Sequence, residues 1–132
     1  MSQKSTMTVA IVDDDQFLLE SLHDFFESMG IDSKTYQSAD SFLESGDLPI
    51  IHCVLADVKM PGTTGLELLE LLVRQNGPPV CLMTSFTDNR TRLAASERGA
   101  VGFLEKPIRS ADLLRIICGQ NHSRAEWVTV SG

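Results

Sequence analysis

Five polar side chains in this sequence stand where apolar runs end, and together their types suit chemistry on a phosphoryl group. Asp13 and Asp14 close the run Met7 to Val12. Asp57 closes Ile51-His52-Cys53-Val54-Leu55-Ala56 and is followed by Val58-Lys59-Met60-Pro61-Gly62. Thr84 closes Val80-Cys81-Leu82-Met83, and Lys106 follows Val101-Gly102-Phe103-Leu104-Glu105 and precedes Pro107. Grouped carboxylates repel one another unless a cation joins them, and an oxygen-only donor set suits Mg2+ or Mn2+. A hydroxyl donor and a fixed ammonium beside such a site are what a phosphoryl group needs. Phosphoryl transfer asks chiefly for in-line positioning and charge neutralisation. An Asp carboxylate can itself be the nucleophile, forming an acyl phosphate. Each residue also has a plainer reading. Clustered acids usually solvate a face or cap a helix, as Asp15 is expected to do. A Thr at a strand end commonly closes a turn, and a Lys before Pro is commonly exposed. The set carries the chemical reading; no single member does.

The elements that must position these residues follow from periodicity. Short runs of branched apolar residues bounded by turn signals read as buried strands: Met7 to Val12, the run ending at Asp57, Val80 to Thr84, and Val101 to Leu104. Ile31 to Tyr36 is a further, weakly signalled strand. Between them, Phe17, Leu18, Leu22, Phe25, Phe26 and Met29 recur at helical spacing and Gly30 supplies a stop. Ser38 to Leu43 is a short helix capped by Ser38 and ended near Gly46. A third helix runs from about Thr64 to Gln75 and is broken by Pro78-Pro79. A more polar fourth runs from Thr87 to Arg98, and a fifth from Ser110, its expected cap, to Cys118. Strands alternating with helices predict an α/β fold with a parallel sheet covered on both faces. Right-handed crossovers then bring the C-terminal strand ends to one edge, where ligands bind in open α/β sheets.

Composition sets the class. The chain has 132 residues, one domain's worth, of which 42% are hydrophobic and 22% charged. The net charge of −7 comes with no Lys/Arg cluster, which argues against direct nucleic-acid binding. Three cysteines without metal-ligand spacing, Cys53, Cys81 and Cys118, read as reduced core residues of a cytoplasmic protein. Residues 1–8 lack the apolar stretch of a signal peptide, and no apolar run reaches membrane-spanning length. Among the histidines, His52 is expected to be a satisfied core residue, and neither His23 nor His122 has a metal-ligand partner nearby. Residues 1–6 form a loose arm and 7–118 the folded domain. Residues 119–132, with Trp127, are a tail or linker stump, or else an edge strand or dimer contact.

In this order, and on these elements, the motifs resemble those of the receiver domain of bacterial response regulators. The matching pieces are Ile11-Val12-Asp13-Asp14-Asp15, Ala56-Asp57-Val58-Lys59-Met60-Pro61-Gly62, Leu82-Met83-Thr84-Ser85 and Lys106-Pro107. The runs 57–65 and 99–107 look most like the FixJ-type branch. The resemblance implies a CheY-like, flavodoxin-like (βα)5 fold: a three-layer sandwich around a five-stranded parallel sheet of order 2-1-3-4-5. It implies that Asp57 is the phosphorylated residue. Asp14 would bind Mg2+ directly and Asp13 mainly through water, with the Lys59 backbone carbonyl as a further ligand. Lys106 would pair with the acyl phosphate and Thr84 would turn inward to hydrogen-bond it. Phe103 holds the switch-aromatic position, although an ordinary core aromatic is as good a reading, and the Lys106–Pro107 bond is expected to be cis. Lys59 and Phe86 stand where the family tunes phosphoryl lifetime, and a bulky Phe86 implies slow self-hydrolysis.

The function implied is a phosphoacceptor switch and not an enzyme acting on a separate substrate. A histidine kinase or phosphotransfer protein would donate to Asp57, shifting the population toward an active surface. That surface, on the fourth helix, fifth strand and fifth helix around Arg92, Phe103, Arg109 and Leu113, would serve homodimerisation or docking of a downstream protein. A second reading is the regulatory half of a DNA-binding transcription factor whose output domain is absent, since FixJ-type receivers often precede a helix-turn-helix. A Mg2+-dependent phosphatase with an Asp nucleophile is opposed by Lys59, which stands where such enzymes usually carry an acid, and by the lack of a cap domain. A constitutive scaffold is opposed by the presence of every phosphorylation residue.

Overall fold

Strands buried on both faces must be apolar along their interiors, and the three central strands are, with polar residues only at their ends (Thr8, Asp57 and Thr84). In a computed structural model describing residues 7–85 and 88–119, these strands are β1 (Thr8–Val12), β3 (Cys53–Asp57) and β4 (Val80–Thr84). The edges are β2 (Asp32–Tyr36), half exposed, and β5 (Gly102–Glu105). All neighbours are parallel, in the order β2-β1-β3-β4-β5 that the resemblance implies.

Side-chain alternation divides the core in two. Val9, Ile11, Cys53, Leu55, Cys81 and Met83 face one way, under α1 (Gln16–Ser28) and α5 (Ser110–Gly119). Ala10, Val12, Val54, Ala56, Val80 and Leu82 face the other, under α2 (Ala39–Glu44), α3 (Gly65–Arg74) and α4 (Asn89–Glu97). Among the described residues Cys53 and Cys81 are free thiols buried in this core. Burial pushes the Cys53 thiol up to about 12 and Cys81 well above its ordinary value, which keeps both inert.

Helix ends follow the sequence signals. Asp15 caps α1 by accepting from the Phe17 and Leu18 N–H groups, and Gly30 leaves the helix at φ 75°. Ser38 caps α2, and Thr64 with Glu67 forms a reciprocal capping box on α3. Among the described residues no helix is long and apolar enough to cross a membrane.

Several expectations need correction. Phe17 is 81% exposed and Met29 48%, because α1 buries the stripe Leu19, Leu22 and Phe26. Phe17, two residues before Leu19, points about 200° away from that stripe, and Met29 lies past the last helical residue. The strand leading to Asp57 begins at Cys53, not Ile51, after an unforeseen 3₁₀ turn over Leu48–Ile50. His52 is therefore exposed at the strand's start and not a core residue; its Nδ1 accepts from the Thr8 N–H at 3.0 Å. Ser110 is the first helical residue of α5, not its cap. Leu113 is buried against the α1 side with Ile116 and Ile117, so it cannot belong to an exposed binding face. The arm, Phe86 and the tail with Trp127 lie outside the described residues.

Candidate functional site

The site is built at the C-terminal rim by register. Val12 pairs with Ala56, so the next residues, Asp13 and Asp57, emerge side by side. The ladder is prolonged by an Asp13 N–H to Tyr36 carbonyl bond of 3.0 Å and a Val58 N–H to Met83 carbonyl bond of 2.8 Å. On the other side Thr84 faces Glu105, and the Lys106 N–H donates to the Thr84 carbonyl at 2.7 Å. The Lys106–Pro107 peptide is cis. Strand ends alone thus bring four of the five residues read from the sequence to one rim, and Asp14 follows Asp13 directly.

Charge is distributed unevenly across it. Asp13 is fully buried, Asp57 is 9% exposed and Asp14 is open to solvent. The Lys106 ammonium donates to Asp13 Oδ2 at 2.7 Å and lies 3.4 Å from Asp57 Oδ1. Asp13 Oδ1 accepts the Asp15 N–H at 2.9 Å, so both Asp13 oxygens are engaged. Burial and then the charge of Asp13 push the Asp57 carboxyl above its ordinary value, against the opposing pull of Lys106. For Lys106, burial acts to lower the value, but the hydrogen bond and charge of Asp13, with the charge of Asp57, raise it overall. One oxygen from each of Asp13, Asp14 and Asp57 falls within a mutual distance of 4.8 Å. Three carboxylates against one ammonium leave a net negative pocket of oxygen donors, which fits a hard divalent cation.

The other residues singled out lie around this pocket. Thr84 is buried at the end of β4. Lys59 is exposed in the β3–α3 loop. Phe103 is half buried on β5, with the Arg92 guanidinium 4.9 Å from its ring centroid. Arg92, Phe103, Arg109 and Arg115 line a groove of about 440 Å³ along β5 and α5.

Two residues that shape the site had not been assigned a role from sequence. Gly65 opens α3 so close to β3 that a Cβ there would stand 2.2 Å from the Asp57 carbonyl oxygen. Its position directly after the Thr64 cap was the available signal. Asp40, on α2, accepts from Thr63 Oγ1 at 2.7 Å across a separation of 23 residues, and no local pattern announces that contact.

A family model described as the response regulator receiver domain matches residues 9–118. The transcriptional regulatory protein FixJ of Azorhizobium caulinodans is 38% identical over 114 residues, covering 85% of this chain and 54% of that protein. The FixJ of Bradyrhizobium diazoefficiens is 34% identical over 110 residues, covering 83% and 54%. The chain spans about half the length of these curated relatives. Among solved structures, that of FixJ-N superposes with a TM-score of 0.77 at 30% identity, covering 93% of this chain and 98% of the other. Since the match takes in every rim residue described above, the chain belongs to the response regulator receiver domain family.

Proposed function

We propose that Asp57 accepts a phosphoryl group from the phosphohistidine of a partner kinase or phosphotransfer protein, in a Mg2+-dependent reaction. The observation that carries this is the placement of Asp57 at the mouth of the pocket, within 3.4 Å of an ammonium and beside two further carboxylates. An Asp57 oxygen attacks phosphorus as the P–N bond to the donor imidazole breaks, and the imidazole takes up a proton from solvent. Lys106, already between Asp13 and Asp57, needs only a small shift to follow the charge onto the transferred phosphoryl oxygens. Asp14 is the open carboxylate suited to contact Mg2+ directly. Asp13, held by Lys106 and the Asp15 N–H, suits a contact through water, and the Lys59 carbonyl in the adjoining loop is a further donor. When bound, Mg2+ supplies the positive charge that neutralises the carboxylates and the phosphoryl oxygens.

Thr84 then turns its hydroxyl to the phosphoryl group and Phe103 swings inward behind it. This changes the face formed by α4, β5 and α5, with Arg92 and Arg109, for a second copy or a downstream protein. Lys59 and Phe86 are proposed to tune phosphoryl lifetime, with the bulk of Phe86 making self-hydrolysis slow, over minutes or longer; loss of label within seconds at neutral pH would refute that. The curated relatives are named transcriptional regulatory proteins, which favours as a second reading the regulatory part of a DNA-binding regulator. Intact-mass analysis with acetyl phosphate or beryllofluoride tests the central claim. A Mg2+-dependent adduct that Asp57→Asn abolishes is expected, and folded protein that forms no adduct with either donor refutes it.

A further inference from the structure

The loop between β3 and α3, residues 58–64, carries Lys59, whose carbonyl the reading above assigns to the metal. Its base is closed by the Gly65 N–H donating to the Val58 carbonyl at 3.0 Å, and its far end by the Thr64–Glu67 capping box. Between these ties lies the turn Pro61-Gly62-Thr63. Gly62 stands at φ 77°, a conformation that favours glycine, and a Cβ there would come within 2.7 Å of Asp40 Oδ2. The other Asp40 oxygen accepts the Thr63 hydroxyl at 2.7 Å. One carboxylate of α2 therefore occupies the space a side chain at 62 would need with one oxygen and hydrogen-bonds Thr63 with the other.

We propose that Asp40 is a positioning residue for Mg2+ binding, fixing the β3–α3 loop so that the Lys59 carbonyl is held toward the acidic pocket. Asp40 has no other side-chain hydrogen bond among those identified between described residues, and the bond to Thr63 is charge-assisted and so of the stronger kind. A loop tied at base, turn and helix cap presents its carbonyl without first being ordered, so cation binding carries no loop-ordering cost. With the middle tie cut, the loop keeps its base, its cap and the buried Val58 and Met60, and more of the ordering of its turn falls to the cation. The inference rests on the Mg2+ reading of the rim, and it extends that site to a helix on the opposite side of the loop.

The test is calorimetric titration of Mg2+ into the unphosphorylated protein, paired with amide hydrogen exchange of residues 59–63 in EDTA. Asp40→Ala and Thr63→Val are each expected to weaken Mg2+ binding three- to tenfold and to speed exchange in the loop. The double variant should be no weaker than the weaker single, because both cut one tie. Thr63→Ser, which keeps the hydroxyl, should bind as the wild type does. Glu44→Gln removes the same charge from the same helix without touching the loop, and should change affinity less than twofold. Asp40→Ala and Thr63→Val binding like the wild type, while Asp14→Asn binds poorly, would overturn the role of Asp40 alone. Equal weakening by Glu44→Gln would reduce Asp40 to a bulk charge effect and overturn it too. Wild-type protein that takes up no Mg2+ would overturn both this inference and the reading beneath it.

Discussion

Replacing Asp57 by Asn removes the proposed phosphoacceptor, and the charges around it predict a more stable protein in the absence of metal. At an effective dielectric of about 20, the Lys106 ammonium at 3.4 Å attracts the Asp57 carboxylate by about 5 kcal/mol. On the same scale Asp13, within 4.8 Å, repels it by at least about 3.5 kcal/mol, and the exposed Asp14 adds a smaller repulsion. These nearly cancel, leaving the burial of a carboxylate, which also heads the causes of its raised pKa. An imperfectly compensated buried carboxylate costs several kcal/mol, roughly 1–3 kcal/mol more than the neutral amide that would replace it. Asp57→Asn, which leaves the Lys106–Asp13 pair intact, should recover most of this difference. For a domain of this size the gain is a melting temperature roughly 3–10 °C above wild type in EDTA at neutral pH.

The pH dependence fixes the sign. A carboxyl whose folded pKa lies above its unfolded one contributes stability that is fully present below the unfolded pKa and lost as pH rises through the folded one. Wild type and variant should therefore converge near about pH 4 and separate as the solution becomes neutral. Mg2+ works the other way. At ten times its dissociation constant it stabilises wild type by about 1.4 kcal/mol, and it should stabilise the variant by less, narrowing the gap. Scanning calorimetry over pH, with and without Mg2+, measures all three trends. An Asp57→Asn protein that melts at or below wild type in EDTA at neutral pH would refute the charge account.

Gly65→Ala places a Cβ 2.2 Å from the Asp57 carbonyl oxygen and 2.9 Å from the Val58 Cα, where only backbone can yield. A loss of about 2 kcal/mol or more in urea unfolding, together with impaired adduct formation at Asp57, is expected; unchanged stability would show that the loop is free to move. The Arg92 contact over Phe103, at a half-exposed site, is worth about 0.5–1 kcal/mol and favours the ring position seen here over a further inward swing. Arg92→Ala should therefore raise the affinity for beryllofluoride about two- to fivefold, as read by titration, and an unchanged affinity would remove Arg92 from the switch. Phe17→Ser, at an 81% exposed position, should alter stability by less than about 0.5 kcal/mol in the same urea assay.

What the sequence made legible was whatever a single strand determines by itself. Asp13, Asp57 and Thr84 could be placed because each terminates an apolar run, and parallel register then forces those ends to one rim whatever else the chain does. Helix faces were harder. In α1 the inward stripe is Leu19, Leu22 and Phe26, yet Phe17, Leu18, Phe25 and Met29 make several apolar sets of similar spacing, and only the sheet beneath selects among them. Leu113 was misplaced for the same reason. Sequence spacing shows that α5 has an apolar side, but the side facing β5 and Phe103 is fixed by α1 packing beside it. His52 failed differently, because it continues an apolar run while the 3₁₀ turn before it delays the strand by two residues. Asp40 and Thr63 lie beyond any such reading, since their meeting depends on how α2 and the β3–α3 loop sit across β1 and β3. The groups proposed to perform the chemistry are thus encoded by local pattern. The contact inferred to hold the metal-facing loop is encoded by the packing of whole elements, so a search for rim motifs alone would find Asp57 and pass over Asp40.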